Sequence, residues 1–347
     1  MYQPTILKTQ NDKEIIDFLN DSGRNNPTIL GYHYPNYRDM LEKIGVGEPL
    51  YIGMRDQQEK LVALLPGFIK TQKEGTVYSS LPFFGPNTGV LTQFGSPAKD
   101  ELHKNILSFL FKHLDHYDMI SASIYSNFFD NIDINFLQQY LLEPIVIDKF
   151  TNYVPLENFQ LSSSLEYDIR KAVKSGVQIR NASDESDVDA IFDIYIKNCT
   201  DYGIPPKPKE CLKELIKQGG YLETTKTYIA EYENKIIGAL IMIYSPNTAS
   251  YYLPCSIHEF RSYQPTTLLI NHAIQESIKK GILVWNWESS PSKDSGVYKF
   301  KKKWGSLDGS YKIFVKAYKP NSFFKQLGQS EIGRLYPNFF VFPFNLL

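Results

Sequence analysis

The chain has little that would tie it to a membrane, a disulfide-stapled fold or a charged polymer. Only 3 cysteines occur in 347 residues, and Cys199, Cys211 and Cys255 show no C-x-x-C spacing. An odd count without a pairing motif predicts buried thiols in a reducing compartment. No apolar run approaches the ~20 residues that cross a bilayer, and the N-terminus has no charged-then-apolar leader pattern. The expectation is a cytoplasmic protein with no integral membrane span. A formal net charge of −1 excludes a generally basic surface, and with it DNA as an obvious partner. No Ser-His-Asp order and no zinc-ligand spacing stands out. His113 and His116 fall at the end of a predicted helix, where cationic side chains are common, so no metal is expected. Low-complexity stretches and flexible linkers are missing too, which predicts domains packed tightly on each other.

What is present is ordinary globular composition, 42% hydrophobic and 22% charged. The length exceeds the ~250–300 residues at which single cores stop growing, so two domains are expected. Aromatic content is high, with Tyr 24 and Phe 22, which suits either a cleft gripping sugars or nucleotides or plain core packing.

An internal repeat organises the chain. Residues 51–65 read YIGMRDQQEKLVALL and residues 228–240 read YIAEYENKIIGAL. Each is a strand, a charged turn and a second strand. In the first copy Ser96-Pro97 opens a predicted helix, with Asp100 and Glu101 in its first turn and Leu102, Ile106, Phe109, Leu110 and Leu114 as its stripe. In the second, Pro265 opens a helix striped by Leu269, Ala273, Ile274 and Ile278, with Lys279 and Lys280 in its last turn and Gly281 closing it. A buried-looking strand follows each helix, Met119–Tyr125 and Ile282–Trp287. Between the halves, Ser163 or Ser164 can cap a helix that Gly176 ends, ahead of a strand from Val177. Further helices are expected near 12–20, 35–44, 184–199 and 208–218.

This order implies an α/β (α+β) fold of two tandem domains, each a mixed central sheet flanked by helices. The expected boundaries are 1–155, 156–320 and a tail, 321–347, packed on the body. Pro337 and Pro343 break the apolar end from Tyr336 to Leu347, which reads as an arm.

Several residues could carry chemistry. In DSGVYKFKKKWG (294–305) four lysines, Lys299, Lys301, Lys302 and Lys303, stand beside Phe300 and Trp304. A solvated helix face is one reading. The other aims Lys301 at a cleft, where an ammonium would stabilise an oxyanion. Glu288 and Asp294 are candidate proton acceptors or ordinary loop acids, and His258-Glu259 has the same two readings. The loop LPFFGPNTG (81–89), with Gly85 and Gly89, either lines a ligand or is turn chemistry alone.

The segments IRKAVKSGVQIR (169–180), DYGIPPKP (201–208), YIAEYENKIIGALIMIY (228–244), ASYYLPCSIHEFRSYQPTTLLINHAIQESIKKG (249–281) and YKFKKKWG (298–305) carry a resemblance in their order and spacing. GYHYPNYRDML (31–41) and FFGP (83–86) extend it into the first half. The chain resembles the Fem-type transferases (the FemA, FemB, FemX group) and related acetyltransferase-like proteins of polysaccharide clusters. The resemblance implies two tandem acetyltransferase-type (GNAT) domains. It also implies an acyl- or aminoacyltransferase that forms an amide on an amine of a cell-envelope precursor, an amino sugar or a peptidoglycan peptide. Attack would be direct, with no covalent enzyme intermediate.

No tightly bound cofactor is implied; the co-substrate would be acyl-CoA or aminoacyl-tRNA, which makes tRNA a potential partner. The acceptor would be a small molecule or a nucleotide-linked sugar. By this resemblance Lys301 matches the lysine at the reacting acyl group, and Lys207 and Arg38 match basic positions that grip an acceptor diphosphate. Tyr252, Tyr298 and Tyr125 are further acceptor-binding candidates, and Gln264, Thr266 and Thr267 would meet the donor at the helix start. Two departures stand out. The Q/R-x-x-G-x-G/A pattern that cradles coenzyme A pyrophosphate lacks its glycines, and Tyr125 or Ser126 replaces an acid of the cell-wall enzymes. The alternative they leave open is a non-catalytic nucleotide-sugar or glycan-binding module.

Overall fold

In a computed structural model the chain is described over residues 2–23, 26–83, 88–93, 95–127, 144–217, 224–290 and 292–347. Gly85 of the candidate loop lies outside the described residues. In chain order the elements begin with β1 (Gln3–Leu7), α1 (Asp12–Gly23), α2 (Pro35–Lys43), β2 (Glu48–Pro49), β3 (Tyr51–Arg55), β4 (Leu61–Leu65), β5 (Phe68–Gln72) and β6 (Gly75–Ser79). They continue with β7 (Leu91–Thr92), α3 (Lys99–Leu114), β8 (Met119–Tyr125) and β9 (Ile145–Pro155). The second half follows with α4 (Ser163–Lys174), β10 (Gln178–Asn181), α5 (Glu185–Tyr202), α6 (Lys209–Lys217), β11 (Thr225–Tyr232), β12 (Lys235–Tyr244) and β13 (Thr248–Ser256). It ends with α7 (Pro265–Lys279), β14 (Val284–Ser289), α8 (Gly296–Lys303), β15 (Leu307–Ala317) and α9 (Asn321–Leu335).

Contacts divide the chain into a first unit, Met1–Phe150 with Ser310–Leu347, and a second, Thr151–Gly309. Residues 310–320, expected in the second domain, group with the first, because β15 pairs antiparallel with β8 from Ile313↔Tyr125 to Ala317↔Ser121. The tail also packs into the first unit: Val341 and Phe342 are buried with Phe324, Ile332, Leu335 and Tyr336.

In the first unit β1, β3, β4 and β7 form one antiparallel sheet. β2, β5 and β6 are antiparallel neighbours, and β6 pairs in parallel with β8. A parallel pair needs a crossover, and α3 supplies it. This helix starts at Lys99 instead of Ser96, since Ser96–Lys99 closes a turn of its own (Lys99 N–H to Ser96 C=O, 3.2 Å). Its Leu102, Ile106, Leu107, Leu110 and Leu114 fill the core against Ile52, Met54 and Ile124.

The second unit repeats this order. β10–β11–β12–β13 run antiparallel, and α7 carries the chain over to β14, which pairs in parallel with β13. Both hairpins of the sequence repeat are therefore real (β3–β4 and β11–β12), and a helix links a parallel pair in each unit. α4 is capped by Ser162, whose hydroxyl accepts from Leu165 N–H at 3.4 Å, one residue earlier than expected. The core is aromatic around Trp285, Trp287 and Trp304. Among the described residues no helix is long and apolar enough to cross a membrane.

Candidate active site

The second unit contains a fork. β13 and β14 pair only at Thr248↔Val284, Ala249↔Trp285 and Ser250↔Asn286, although β13 runs on to Ser256 and β14 to Ser289. At its other edge β14 pairs with β9, and its register slips between Asn286 and Glu288. Glu288 has φ +59°, unusual for a residue with a side chain. The bulge bends the strand end, where Glu288 and Ser289 lie opposite Asn152 and Thr151 of β9.

The Lys301 ammonium meets the Glu288 and Ser289 carbonyls. Its Nζ donates to Glu288 O at 3.0 Å and to Ser289 O at 2.8 Å, and the residue is only 3% exposed. Burial draws its pKa down to about 8, against the attraction of Glu288. Local sequence explains the inward placement. Ser295 caps α8 by accepting from Tyr298 N–H at 3.2 Å. Phe300 then packs edge-on and Trp304 at a tilt against Trp287, with centroids 6.2 and 6.0 Å apart, and this anchoring turns Lys301 under the helix. An ammonium has three donors, so one remains beyond the two carbonyls.

Lys301 lines a cavity of about 600 Å³ with Tyr251, Pro254, Val297 and Phe300 on its apolar walls. The start of α7 closes another side through Gln264, Pro265, Thr266 and Thr267. No side chain caps this helix, so its end keeps the partial positive charge that draws anions. Gln264 takes the left-handed conformation, φ +57°, at the place where the acetyltransferase pattern has glycine. The backbone turn is kept without the residue that usually makes it easy. Pro265 has no N–H to offer, and Thr267 Oγ1 donates to Gln264 Oε1 at 3.3 Å. Asn198 of α5 pairs with both backbone groups of Ser256 at 2.9 Å each. Arg261 donates to the Tyr202 hydroxyl beside the same cavity.

The structure thus gathers Lys301, Gln264, Thr266 and Thr267 around one space. It does not bring the other expected residues there. Asp294 is exposed in the turn before α8 and does not reach the cavity wall, because the cap at Ser295 turns the chain outward there. Glu288 contributes its carbonyl; its carboxylate accepts from Asn286 Nδ2 at 2.6 Å and is not part of the cavity wall. Tyr298 donates to Asp308, 3.1 Å from both oxygens.

Lys207 is buried between aromatic rings, 5.1 Å from the Tyr252 centroid and 5.9 Å from Tyr195. Desolvation lowers its pKa to about 8. Arg38 and Tyr125 belong to the first unit. Arg38 is 3% exposed and spans Asp12 with two hydrogen bonds at 2.7 and 2.9 Å, so its guanidinium is already matched by carboxylates. Tyr125 stacks on Tyr311 at 6.5 Å. Of the paired possibility His258-Glu259, Glu259 holds Lys197 at 3.1 Å on the surface.

Sequence reasoning missed Asn286, Asn198 and Tyr251. A lone amide between two tryptophans in VWNWES was the available signal for Asn286, since a polar residue inside a buried strand must find partners. Nothing local marks Asn198, whose role depends on a strand 58 residues away.

Residues 161–286, within the second unit, match the acetyltransferase (GNAT) domain family. That match ends before Lys301. No curated protein sequence matches the chain. Among solved structures it is similar to FemX, at 11% identity and TM-score 0.69, covering 94% of this chain and 99% of that one. It is similar to L-PGS from Bacillus licheniformis, at 12% identity and TM-score 0.57, covering 86% and 97%. A tandem GNAT protein from the clavulanic acid biosynthesis pathway matches at 8% identity and TM-score 0.52, covering 92% and 99%. At these identities the likeness is one of fold.

Proposed function

We propose that the cleft of the second unit transfers an acyl group from a coenzyme A thioester to an amine, forming an amide by direct attack. The observation that carries this reading is the buried Lys301 ammonium, with one donor to spare, in the wall of an apolar cavity beside a helix start. The amine nitrogen bonds to the thioester carbonyl carbon, and charge gathers on the carbonyl oxygen, where the Lys301 N–H is donated. The C–S bond then breaks, and the amine's proton leaves to neutralise the departing thiolate. The described residues lining the cavity include no carboxylate and no histidine, so the amine arrives as its free base.

Cys255 lines the same space, but burial pushes its thiol up to about 12. A thiol held protonated is a poor nucleophile, which supports attack without an acyl-enzyme. The GNAT domain favours acyl-CoA over aminoacyl-tRNA as donor. An amino sugar or peptide amine of a cell-envelope precursor is the acceptor class we assign, on the likeness of fold to FemX.

The test is a mass-spectrometric assay of acyl-CoA with amino-sugar and peptide amines. Matched release of free coenzyme A and appearance of amide is expected. A thermal shift by charged tRNA without one by acyl-CoA would overturn the donor, since ligand at 100-fold its Kd adds about 2.7 kcal/mol. Acceptor binding with no turnover under either donor would leave a binding module instead.

A further inference from the structure

Asn286 stands where β13 and β14 part. It is fully buried and is the last β14 residue paired with β13, opposite Ser250. Its side chain makes three hydrogen bonds. Nδ2 donates to Ser250 Oγ at 3.2 Å and to Glu288 Oε1 at 2.6 Å, and Oδ1 accepts from Glu288 N–H at 3.0 Å. One amide therefore ties the fork to the opposite strand, grips both the backbone and the side chain of Glu288, and spans the point where the β14 register slips.

Glu288 needs such a grip. Its left-handed backbone, φ +59°, is strained for a residue with a side chain and persists only where its surroundings over-determine it. In a regular strand the Glu288 and Ser289 carbonyls would alternate to opposite edges. Here both accept from Lys301 Nζ. The arrangement also holds the Glu288 carboxylate on Asn286, leaving the carbonyls to face the ammonium.

We infer that Asn286 is a positioning residue: by locking the Glu288 bulge at the fork, it builds the two-carbonyl seat that aims the Lys301 ammonium into the cavity. Its consequence for turnover rests on the reading of Lys301 as the oxyanion donor; its consequence for Lys301 itself does not. Glu288, from β14, is the charged group acting on Lys301. Loss of the Asn286 amide releases both the seat and that carboxylate.

The experiment reads Lys301 directly. The full chain is exposed to acetic anhydride across pH, and the acylation rate of Lys301 is followed by peptide mass spectrometry. In the parent the midpoint is expected near 8. In Asn286→Ala it is expected to fall further, since the two carbonyls and the Glu288 charge that favour the ammonium are withdrawn while the burial that disfavours it remains. Turnover should fall about 10²-fold, the scale of a reacting group misplaced by about 1 Å, with the loss in kcat and the donor KM little changed. Ser250→Ala cuts one of the three hydrogen bonds without opening a large cavity, and it carries the same test if Asn286→Ala does not fold. It should move the midpoint in the same direction by less. An unchanged or raised Lys301 midpoint in a folded variant overturns the inference. A lowered midpoint combined with full turnover of Lys301→Met would sustain it and remove the catalytic reading instead.

Discussion

The two units share an order of elements but treat the gap between their parallel strands in opposite ways. In the second unit, β13 and β14 stop pairing at Ser250 and Asn286, and a cavity of about 600 Å³ adjoins the diverging end of β13. In the first unit, the same place is zipped. Pairing of β6 with β8 runs to Ser79↔Ser123, and Ser80 extends it, donating N–H to Ser123 O at 2.9 Å while its Oγ accepts from Tyr125 N–H at 2.9 Å and donates to Thr88 O at 2.7 Å. Asn127 then holds Gly89 N–H at 2.9 Å and Val90 O at 3.2 Å. A Cβ at Gly89 would lie 2.7 Å from Tyr125 O, so the chain itself packs where a ligand would enter. One duplicated frame has kept its fork open around an ammonium, and the other has filled it with its own backbone.

The sharpest way to break this comparison is Lys301→Met. Turnover is expected to fall about 10²–10³, the scale of one lost oxyanion donor, with the melting temperature little changed. Full turnover would deny the open fork its chemistry. Gly89→Val attacks the closed fork. Overpacking of this kind costs about 1–3 kcal/mol, read in thermal unfolding, while kcat per folded molecule stays at the parent value. A large loss of kcat with unchanged melting would place chemistry in the first unit after all.

Thr266→Glu then separates the two helix starts. A negative charge at the opening of α7 is tolerated by the helix dipole but repels an anionic donor, and about 1.4 kcal/mol of repulsion raises the donor KM tenfold. Ala98→Glu, before α3, should leave KM alone.

The mildest effect is on pH. Lys301 loses its proton as pH rises through about 8, so turnover should decline above that point. Lys207, also lowered to about 8 by burial, adds to a stability trend. Both amines stay protonated to ~10.4 in the unfolded chain. Between about 8 and that value the unfolded state holds more protons, so this pair makes stability rise with pH there and costs stability below 8. Chemical denaturation at pH 7, 8.5 and 10 of Lys301→Met against the parent should show a smaller rise in the variant.

Much of the frame was legible in the sequence because it is local. Period-two and helical stripes, the proline that opens α7, the glycine after it and the repeated hairpin each report on a few neighbouring residues. The caps shifted by a residue or more, since Ser162, Ser163 and Ser164 offer nearly equivalent oxygens. Lys301 could be singled out because Phe300 and Trp304 flank it. Glu288 and Asp294 could not be sorted the same way: one is held by an amide two residues back, and the other is turned out by a helix cap.

By itself, then, the chain's pattern determined two α/β units, their strand–helix–strand order and a lysine on an aromatic-anchored helix, all consequences of which residues must leave water. Which fork opens was decided only in three dimensions. Pairing between Ser250 and Asn286, the left-handed turn at Glu288 and the Asn198 clasp on Ser256 join residues far apart in sequence. Hydrogen bonds of that kind carry no local signature, yet they set where an ammonium points.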